Sequence, residues 1–460
     1  MVASLSTKDP KMWSSRMTFI LATIGFSVGL GNIWRFPYLA GENGGGAFVI
    51  IYIACVFLIG IPIVAAELAI GRRGGKTPAA TLRKIATSQN KSKAWSWVGW
   101  LAIVTAFLIN SYYCVIGGWT LNYVFLGANG GLSGINSTES NAIFEGMLAN
   151  PWNLLFWQAL FLVMVVLVVS RGIQGGIEKA VTILMPLLFT LLFGLAIYGL
   201  VAGDAKQGLS FLFNPDFSKV SGKTFLDAIG QAFFSVGVGL AAMMTYGSFL
   251  SKEIEIPKTS AVVCLADTSV ALIAGLAVFP FVFAFGMAPS SGPGLVFVTL
   301  PTALASLGGG GVAAIGFFIL LAVAALTSAI ALFEVIVSWG EEQGWKRSNV
   351  SIMAGIACWI VGLISVISFN VASEFHPLSI VPGYESATMF DAIDKLTSNV
   401  SLPLGGLLVS IFAGWVMSTD SIAEELSLDA SGSLFKTWRA LVRFPIPLVI
   451  ALLILFGVTG

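Results

Sequence analysis

Four ionisable side chains lie within or at the edge of long apolar stretches of this 460-residue chain: Arg35, Glu67, Asp267 and Asp394. Placing such a group in a bilayer costs at least about 2.5–3.5 kcal/mol, so each needs a partner or a role. Reaching out to the aqueous interface is one explanation for Arg35 and Asp394. Glu67 could cap backbone N–H groups beside a broken helix. Asp267 has no basic partner at its depth, which favours a bound metal cation, with a protonated, hydrogen-bonded carboxyl group as the alternative.

Hydroxyl and amide side chains fall near the depth of Asp267. They are Ser27, Asn32, Ser235, Thr327 and Ser328. Oxygen ligands suit hard cations, and a set with little negative charge suits sodium better than magnesium, which keeps its waters. The alternative for Thr327 and Ser328 is a hydrogen bond to the preceding turn of their own helix. The pair Tyr112-Tyr113 is ambiguous too, because a buried tyrosine hydroxyl needs a partner and a substrate carboxylate would serve.

A similar phrase occurs twice within apolar stretches: Phe26-Ser-Val-Gly-Leu-Gly31 and, 208 residues later, Phe234-Ser-Val-Gly-Val-Gly239. Glycine weakens a helix by about 1 kcal/mol relative to alanine, and a backbone N–H freed in lipid must find a partner. Close packing of helices is the simpler explanation for one copy. Two breaks at matching places in two halves instead indicate a secondary transporter, which binds substrate and ions near the bilayer midplane.

The composition is that of a membrane protein. Hydrophobic residues make up 57% of the chain and charged residues 10%, against about 25% charged in soluble domains, and the mean hydropathy is +0.90. A net charge of +1 gives no indication of nucleic acid, and the single histidine, His376, cannot build a histidine-based catalytic centre. The four cysteines all lie in apolar spans and are interpreted as small buried residues. An enzyme is therefore not expected.

Segments of about 20 apolar residues predict eleven membrane spans. Their approximate limits are 15–41, 47–71, 96–127, 152–170, 178–202, 225–250, 261–287, 313–339, 350–370, 398–417 and 437–458. Most of the 24 Lys and Arg residues fall in segments on the same side as the N-terminus, which predicts a cytoplasmic N-terminus and, after eleven spans, an external C-terminus. Residues 289–312 suggest a re-entrant or capping loop, and 371–390 an external loop.

Taken together, these residues resemble the neurotransmitter:sodium symporter family, and most of all its bacterial amino-acid transporters. The strongest stretches are Gly29-Leu-Gly-Asn-Ile-Trp-Arg-Phe-Pro37 and Glu42-Asn-Gly-Gly-Gly-Ala-Phe48, with support from Gln231-Ala-Phe-Phe234 and Leu326-Thr-Ser-Ala329. The resemblance implies an all-α polytopic membrane protein with two inverted five-helix repeats and unwound helices 1 and 6.

The implied division has four parts: a cytoplasmic N-terminal segment (1–14), the first repeat (15–202), the inverted second repeat (203–417), and a cytoplasmic loop with the eleventh helix (418–460). The protein would reside in the inner (plasma) membrane as a monomer or weak homo-oligomer, with the lipid bilayer, sodium and an amino acid as its partners.

The resemblance also implies two sodium sites. The first would use the Ser27 carbonyl, the Asn32 side chain, Ser235, Asp267 and the substrate carboxylate. The second would use the carbonyls of Gly25, Val28 and Ala324 with the hydroxyls of Thr327 and Ser328.

The implied substrate site lies between the two breaks. It would comprise Gly25, Phe26, Ser27, Gly29, Ile109, Tyr113, Phe234, Ser235, Gly237, Gly239, Leu240, Ser328 and Leu332. The Tyr113 hydroxyl and the first sodium would meet the substrate carboxylate, and carbonyls of the unwound segments would meet its ammonium group.

Gates are expected on both sides. Arg35 and Asp394 would form the external gate, with Phe234 as a lid beneath it. Trp13 and Glu342 match the inner gate. The arginine that usually precedes Trp13 is absent, so Lys8 or Lys11 would replace it, and Phe249 stands where many members have a tyrosine.

Three departures carry chemical information. Gly29 replaces the aspartate of monoamine transporters, so the substrate is expected to bring its own carboxylate. Asp267 and Ala271 replace the asparagine and serine of chloride sites, and a fixed carboxylate repels chloride, so we expect chloride-independent transport. Gly237, Gly239 and Leu240 predict a roomy pocket for large hydrophobic or aromatic amino acids. A proton-coupled or exchanging transporter of the same fold and a membrane amino-acid sensor remain alternatives.

Overall fold

The structure is a computed structural model that describes residues 12–286, 294–381 and 384–459. These ranges contain helices and no strands. Every predicted span corresponds to one helix or to two half-helices, which we number α1–α11. Their bounds are α1a Arg16–Ser27 and α1b Gly31–Glu42, α2 Gly46–Gly74, α3 Lys93–Ala128, α4 Pro151–Val169, α5 Ile173–Ala202, α6a Gly222–Val236 and α6b Ala242–Ser248, α7 Ile256–Ala284, α8 Gly310–Glu342, α9 Arg347–Ser368, α10 Met389–Val416, and α11 Ser433–Arg443 with Pro445–Thr459.

The described chain contains nine helices that are long and apolar enough to cross a membrane, and α1a with α1b, bent by 50°, makes a tenth. The eleventh, α6, consists of halves of 15 and 7 residues. The predicted spans therefore all correspond to helices. Among these nine helices, α8 is the most buried and α11 is the least buried. Helix α8 therefore lies inside the bundle, and α11 lies at its periphery.

The two breaks have different backbone geometry. In α1 the helix ends because Val28 is extended (φ −76°, ψ 99°), and a π-helical turn, Gly31–Arg35, begins the second half. In α6 the break uses left-handed residues: Gly237 at φ 64°, Gly239 at φ 88° and Ala241 at φ 55°. Side chains rarely tolerate this region, so the second copy of the repeated phrase needs glycine for its backbone.

Short helices connect the spans. They are Pro78–Ser88, Ser137–Ala149, Ala205–Phe213, Leu295–Ala305 and Thr419–Leu426. Leu295–Ala305 lies in the segment 289–312, predicted to be a re-entrant or capping loop, of which residues 289–293 fall outside the described ranges. Helix α10 begins at Met389, before the predicted residue 398, because Thr388 and Asp391 form a capping box. Asp394, which precedes the predicted span, therefore lies within this helix.

Candidate functional site

A buried carboxylate joins four helices near the two breaks. Asp267 of α7 is fully buried. Its Oδ1 accepts a hydrogen bond from Asn32 Nδ2 of α1b at 2.8 Å, and its Oδ2 accepts from Ser235 Oγ of α6a at 2.7 Å. The Tyr52 hydroxyl of α2 donates to Oδ2 at 3.4 Å. These hydrogen-bond partners are neutral, and the carboxyl group lies at the meeting point of both broken helices.

The Asn32 amide is oriented differently from what the resemblance implies. Its Nδ2 faces Asp267 and Ser235, and its Oδ1 accepts from the Gly29 N–H at 3.0 Å. Ligation of a cation by the amide oxygen at the Asp267 carboxylate would require the amide to turn by half a rotation. The same oxygen presently satisfies the backbone freed by the break in α1.

A second group of oxygens lies between α8 and the end of α1a. Ser328 Oγ donates to the Phe26 carbonyl at 2.9 Å and lies 3.5 Å from the Gly25 carbonyl. Thr327 Oγ1 instead bonds to its own helix, at 3.2 Å from the Val323 carbonyl and 3.1 Å from the Ala324 carbonyl. The alternative of back-bonding therefore describes Thr327, whereas Ser328 reaches across to α1a.

A small cavity of about 50 Å³ lies between the breaks. Its walls are formed by Phe26, Ser27, Gly29, Gly31, Ile109, Tyr113, Phe234, Ser235, Gly237, Leu240, Ser328, Leu332 and Leu402. Two of the predicted substrate residues, Gly25 and Gly239, do not line this cavity. Two residues that were not predicted, Gly31 and Leu402, do line it. The other eleven predicted residues surround one cavity although they come from α1, α3, α6 and α8.

The cavity is much smaller than the roomy pocket predicted from Gly237, Gly239 and Leu240. A Cβ at Gly237 would lie 2.3 Å from the Phe26 ring, so this ring fills the space that the glycine leaves. A Cβ at Gly239 would point at the Leu402 carbonyl of α10, also at 2.3 Å. Gly239 is therefore a packing position, and the Phe26 ring occupies the pocket floor in this structure.

Glycine is required at position 29 because side chains of α3 and α8 approach its backbone closely. A Cβ there would lie 2.6 Å from Ser328 Oγ and 3.0 Å from the Tyr113 hydroxyl. The Tyr113 hydroxyl accepts from the Leu30 N–H at 3.4 Å. The hydroxyl groups of α3 and α8 thus meet the exposed backbone of the first break directly.

Glu67 of α2 supports the second break. Its Oε1 accepts from the Gly239 N–H at 2.6 Å, and the residue is fully buried. This contact confirms the prediction that Glu67 caps backbone freed beside a broken helix. Gln231 provides a similar contact between the two broken helices, because its Nε2 donates to the Gly31 carbonyl at 2.8 Å.

Arg35 and Asp394 have separate partners. The Arg35 guanidinium lies 4.6 Å from the centroid of the Phe234 ring. Asp394 Oδ1 accepts from the Tyr112 hydroxyl at 3.0 Å and from Ser398 Oγ at 3.1 Å. No ion pair within 4.0 Å joins the two residues, both of which the structure describes. A cavity of about 390 Å³ lies beside Arg35 and Phe234 and is lined also by Asp227.

On the side of the bundle where α1 begins, which we call the N-terminal side, Trp13 closes against α6b. Its Nε1 donates to the Tyr246 carbonyl at 3.0 Å, and the two rings meet edge to face at 5.1 Å. Phe249 contributes its carbonyl, 3.4 Å from the Trp13 N–H. Sequence reasoning named Phe249 as the altered position but missed Tyr246.

Glu342 pairs with the segment between α2 and the next short helix. It accepts a short hydrogen bond from Thr77 Oγ1 and lies 3.8 Å from Lys76 Nζ. Lys8 and Lys11, the expected partners, lie outside the described residues. A cavity of about 410 Å³ beside Glu342 is lined also by Gln174, Phe249 and Arg347.

Glu178, at the N-terminal end of α5, is a contact that sequence reasoning missed. Its carboxylate accepts from the Ser14 N–H and from Ser14 Oγ, both at 2.6 Å, and from Thr18 Oγ1 at 3.1 Å. The available signal was an acidic residue two positions after Gly176, at the start of an apolar span. That position looked like an ordinary span boundary.

The fold and the cavity define a membrane transporter with broken first and sixth helices. A sequence profile described as the sodium:neurotransmitter symporter family matches residues 10–140 and 140–460. The chain belongs to the sodium:neurotransmitter symporter family, and is thus a sodium-dependent transporter and not an enzyme.

Relatives extend over nearly the whole chain. An uncharacterised sodium-dependent transporter from Bacillus subtilis, YhdH, is 38% identical over 454 residues, which is 98% of each chain. One from Methanocaldococcus jannaschii is 30% identical and covers 97% of this chain and 90% of its own. The crystal structure of MhsT in complex with L-phenylalanine is 43% identical, with a TM-score of 0.88 over 97% of this chain and 99% of that chain. The fold is therefore that of the family, with unwound helices 1 and 6.

Proposed function

We propose that this protein imports hydrophobic and aromatic amino acids together with sodium ions, without chloride, by alternating access. The observation that carries the proposal is the Asp267 carboxylate, which is buried at the junction of both broken helices and has neutral hydrogen-bond partners. A buried anion in lipid needs a counter-charge. Sodium and an amino-acid ammonium group are the cations that a sodium-dependent transporter would bring there.

The first sodium would bind at Asp267 with Ser235, the Ser27 carbonyl and, after rotation of its amide, Asn32. The present hydrogen bond from Ser235 to Asp267, 2.7 Å long, supports this assignment because both oxygens already converge. The substrate carboxylate would complete the ligand set. Sodium and substrate would then strengthen each other's binding by linkage, since each pre-orders the same backbone for the other.

The second sodium would bind between α8 and α1a, with the carbonyls of Gly25, Val28 and Ala324 and the hydroxyls of Thr327 and Ser328. The contact of Ser328 Oγ with the carbonyl at Phe26 supports this site because it joins the same two helices. Thr327 Oγ1 would exchange its bond to its own helix for the cation. Loss of this sodium would release α1a from α8.

The substrate would occupy the cavity between the breaks. Its carboxylate would meet the Tyr113 hydroxyl and the first sodium, and its ammonium group would meet backbone carbonyls of the breaks. A cavity of about 50 Å³ is too small for a large side chain, so the Phe26 and Phe234 rings would have to rotate aside. The phenylalanine complex of MhsT, a 43% identical protein of the same fold, supports a substrate of this size.

Alternating access would use the contacts on either side. We propose repeats at 15–202 and 203–417 that move against each other, with the N-terminal side facing the cytoplasm. Arg35, Asp394 and Phe234 would close the external path. Trp13 and Glu342 would close the inner path, and an inside-negative potential would favour uptake by about 2.3 kcal/mol per charge per 100 mV.

Uptake into proteoliposomes tests this proposal. Radiolabelled phenylalanine should accumulate against its gradient when sodium is outside, and replacement of sodium by potassium should abolish accumulation. Replacement of chloride by gluconate should leave the rate unchanged. Equal uptake driven by a proton gradient without sodium would instead support the proton-coupled alternative, and sodium-dependent binding without accumulation would support a sensor.

A further inference from the structure

Arg439 of α11 is a buried cation with unsatisfied donors. The residue is 6% exposed, and its Nη2 donates to the Met417 carbonyl at 2.8 Å. Its Nε and Nη1 are buried without a hydrogen-bond partner in the described chain. Native proteins rarely leave such groups unpaired, and an orphaned buried donor indicates a bound water, ion or ligand.

Arg443, one helical turn further along, is half-buried. Its Nε donates to the Gly414 carbonyl at 2.7 Å, and its Cζ lies 5.1 Å from the centroid of the Trp415 ring. These contacts fix the guanidinium while its two terminal nitrogens make no hydrogen bond within the residues that the structure describes. Residues four apart share one helix face, so the two guanidinium groups present adjacent donors.

Two carboxylates of the linker between α10 and α11 are already engaged elsewhere. Glu424 and Glu425, in the linker between α10 and α11, pair with Arg73 and Arg72 of α2 at 2.9 Å and 2.8 Å. No ion pair within 4.0 Å reaches either arginine of α11 in the part of the chain that is described. Two adjacent cations without an acidic partner attract an anion from outside the chain.

The location indicates what this anion is. Gly457, at the far end of α11, accepts a hydrogen bond from the Tyr384 hydroxyl of the predicted external loop. Gly457 lies fourteen positions after Arg443, which is about 21 Å along a helix, whereas the hydrocarbon core is about 30 Å thick. Arg443 therefore lies at the level of the lipid headgroup boundary or deeper, where soluble anions are scarce.

Exposed aromatic residues adjoin the pair. Trp415 is 52% exposed and Phe444 60% exposed, and their rings meet edge to face at 5.4 Å. Aromatic rings of this kind are typical of the membrane interface, and basic pockets between membrane helices bind lipid headgroups. We propose that Arg439 and Arg443 bind the phosphate of an anionic phospholipid, whose acyl chains lie along Trp415 and Phe444.

Native mass spectrometry of the delipidated full chain in detergent tests this site. Dioleoylphosphatidylglycerol and dioleoylphosphatidylcholine would be titrated in parallel onto the wild type, Arg443→Gln, Arg443→Lys and the control Lys346→Gln, an exposed cation on the same side. The wild type should bind the first phosphatidylglycerol about 30-fold more tightly than phosphatidylcholine. In Arg443→Gln this preference should be about fivefold smaller, because each basic residue near the membrane surface strengthens binding of an anionic lipid about fivefold. Arg443→Lys should retain the preference and Lys346→Gln should be unchanged.

Equal affinity for the two lipids in the wild type would overturn the proposal, as would an unchanged preference in Arg443→Gln. Arg439→Met, which removes the buried cation but keeps an apolar side chain of similar length, supplies a second variant with the same expected loss. Inorganic phosphate at millimolar concentration should not displace phosphatidylglycerol. If it does, the site takes a free anion and the lipid assignment is wrong.

Discussion

Ser328 Oγ of α8 donates a hydrogen bond to the Phe26 carbonyl at the end of α1a, 2.9 Å away. This contact crosses between the most buried span and the half-helix whose release would open the inner path. A Cβ at Gly25, on the same half-helix, would lie 3.3 Å from Thr327 Cβ, so the two helices also pack closely there. The same surfaces that hold the fold together would therefore bind the second sodium.

Ser328→Ala is expected to weaken sodium binding. Removal of one hydroxyl ligand costs about 1 kcal/mol, which raises the sodium concentration for half-maximal binding about fivefold. Equilibrium binding of radiolabelled phenylalanine at varied sodium measures this change. Ser338→Ala on the same helix is the matched control, because the Ser338 hydroxyl bonds to its own helix at the Val335 carbonyl. An equal shift in both variants would contradict a sodium ligand at Ser328.

Asp267→Asn is expected to reduce chloride-independent uptake by at least about tenfold. The neutral amide keeps an oxygen ligand but removes the buried charge, and a charge-assisted contact is worth about 1.5–3 kcal/mol. In this variant, chloride should restore part of the uptake because the repulsion by the carboxylate is gone. Initial uptake rates in chloride and in gluconate measure both effects. The exposed loop substitution Asp216→Asn should change neither, and chloride stimulation of the wild type would contradict the role of Asp267.

Much of the fold was predictable because lipid imposes strong rules on sequence. The apolar segments predicted the eleven spans, and the glycines at matching places in the two halves predicted the two breaks. The resemblance named eleven of the residues around the cavity. The rotamer of Phe26 could not be predicted, because a glycine at 237 signals space without saying which side chain enters it. The contact of Glu178 with Ser14 joins segments 164 residues apart. A local sequence pattern cannot predict such a contact.

Gly237→Ala is expected to destabilise the α6 break and abolish most substrate binding. Alanine at φ 64° is strained by about 1–2 kcal/mol, and its Cβ would lie 2.3 Å from the Phe26 ring, which would have to move. Thermal unfolding in detergent and phenylalanine binding measure the two effects. Gly230→Ala on the same helix is the control, since its Cβ meets only Leu453 Cδ1 at 3.8 Å. Equal stability of the two variants would show that the break tolerates a side chain at 237.

Glu178→Gln is expected to loosen α1a. The carboxylate accepts three hydrogen bonds from the N–H and hydroxyl groups of Ser14 and Thr18. A neutral amide is a weaker acceptor, and bonds to charged groups are worth about 1 kcal/mol more than neutral ones. Local opening of α1a should therefore become about fivefold more frequent.

Hydrogen–deuterium exchange of the peptide 16–27 measures this opening. Exchange should accelerate in Glu178→Gln and remain unchanged in Glu374→Gln, which alters an exposed carboxylate of the loop between α9 and α10. Sodium should slow exchange in both variants, because the second sodium would hold α1a against α8. If exchange in 16–27 stays at the wild-type rate in folded Glu178→Gln, then Glu178 does not hold α1a in place. The contact of Trp13 with Tyr246 would then be what closes this side.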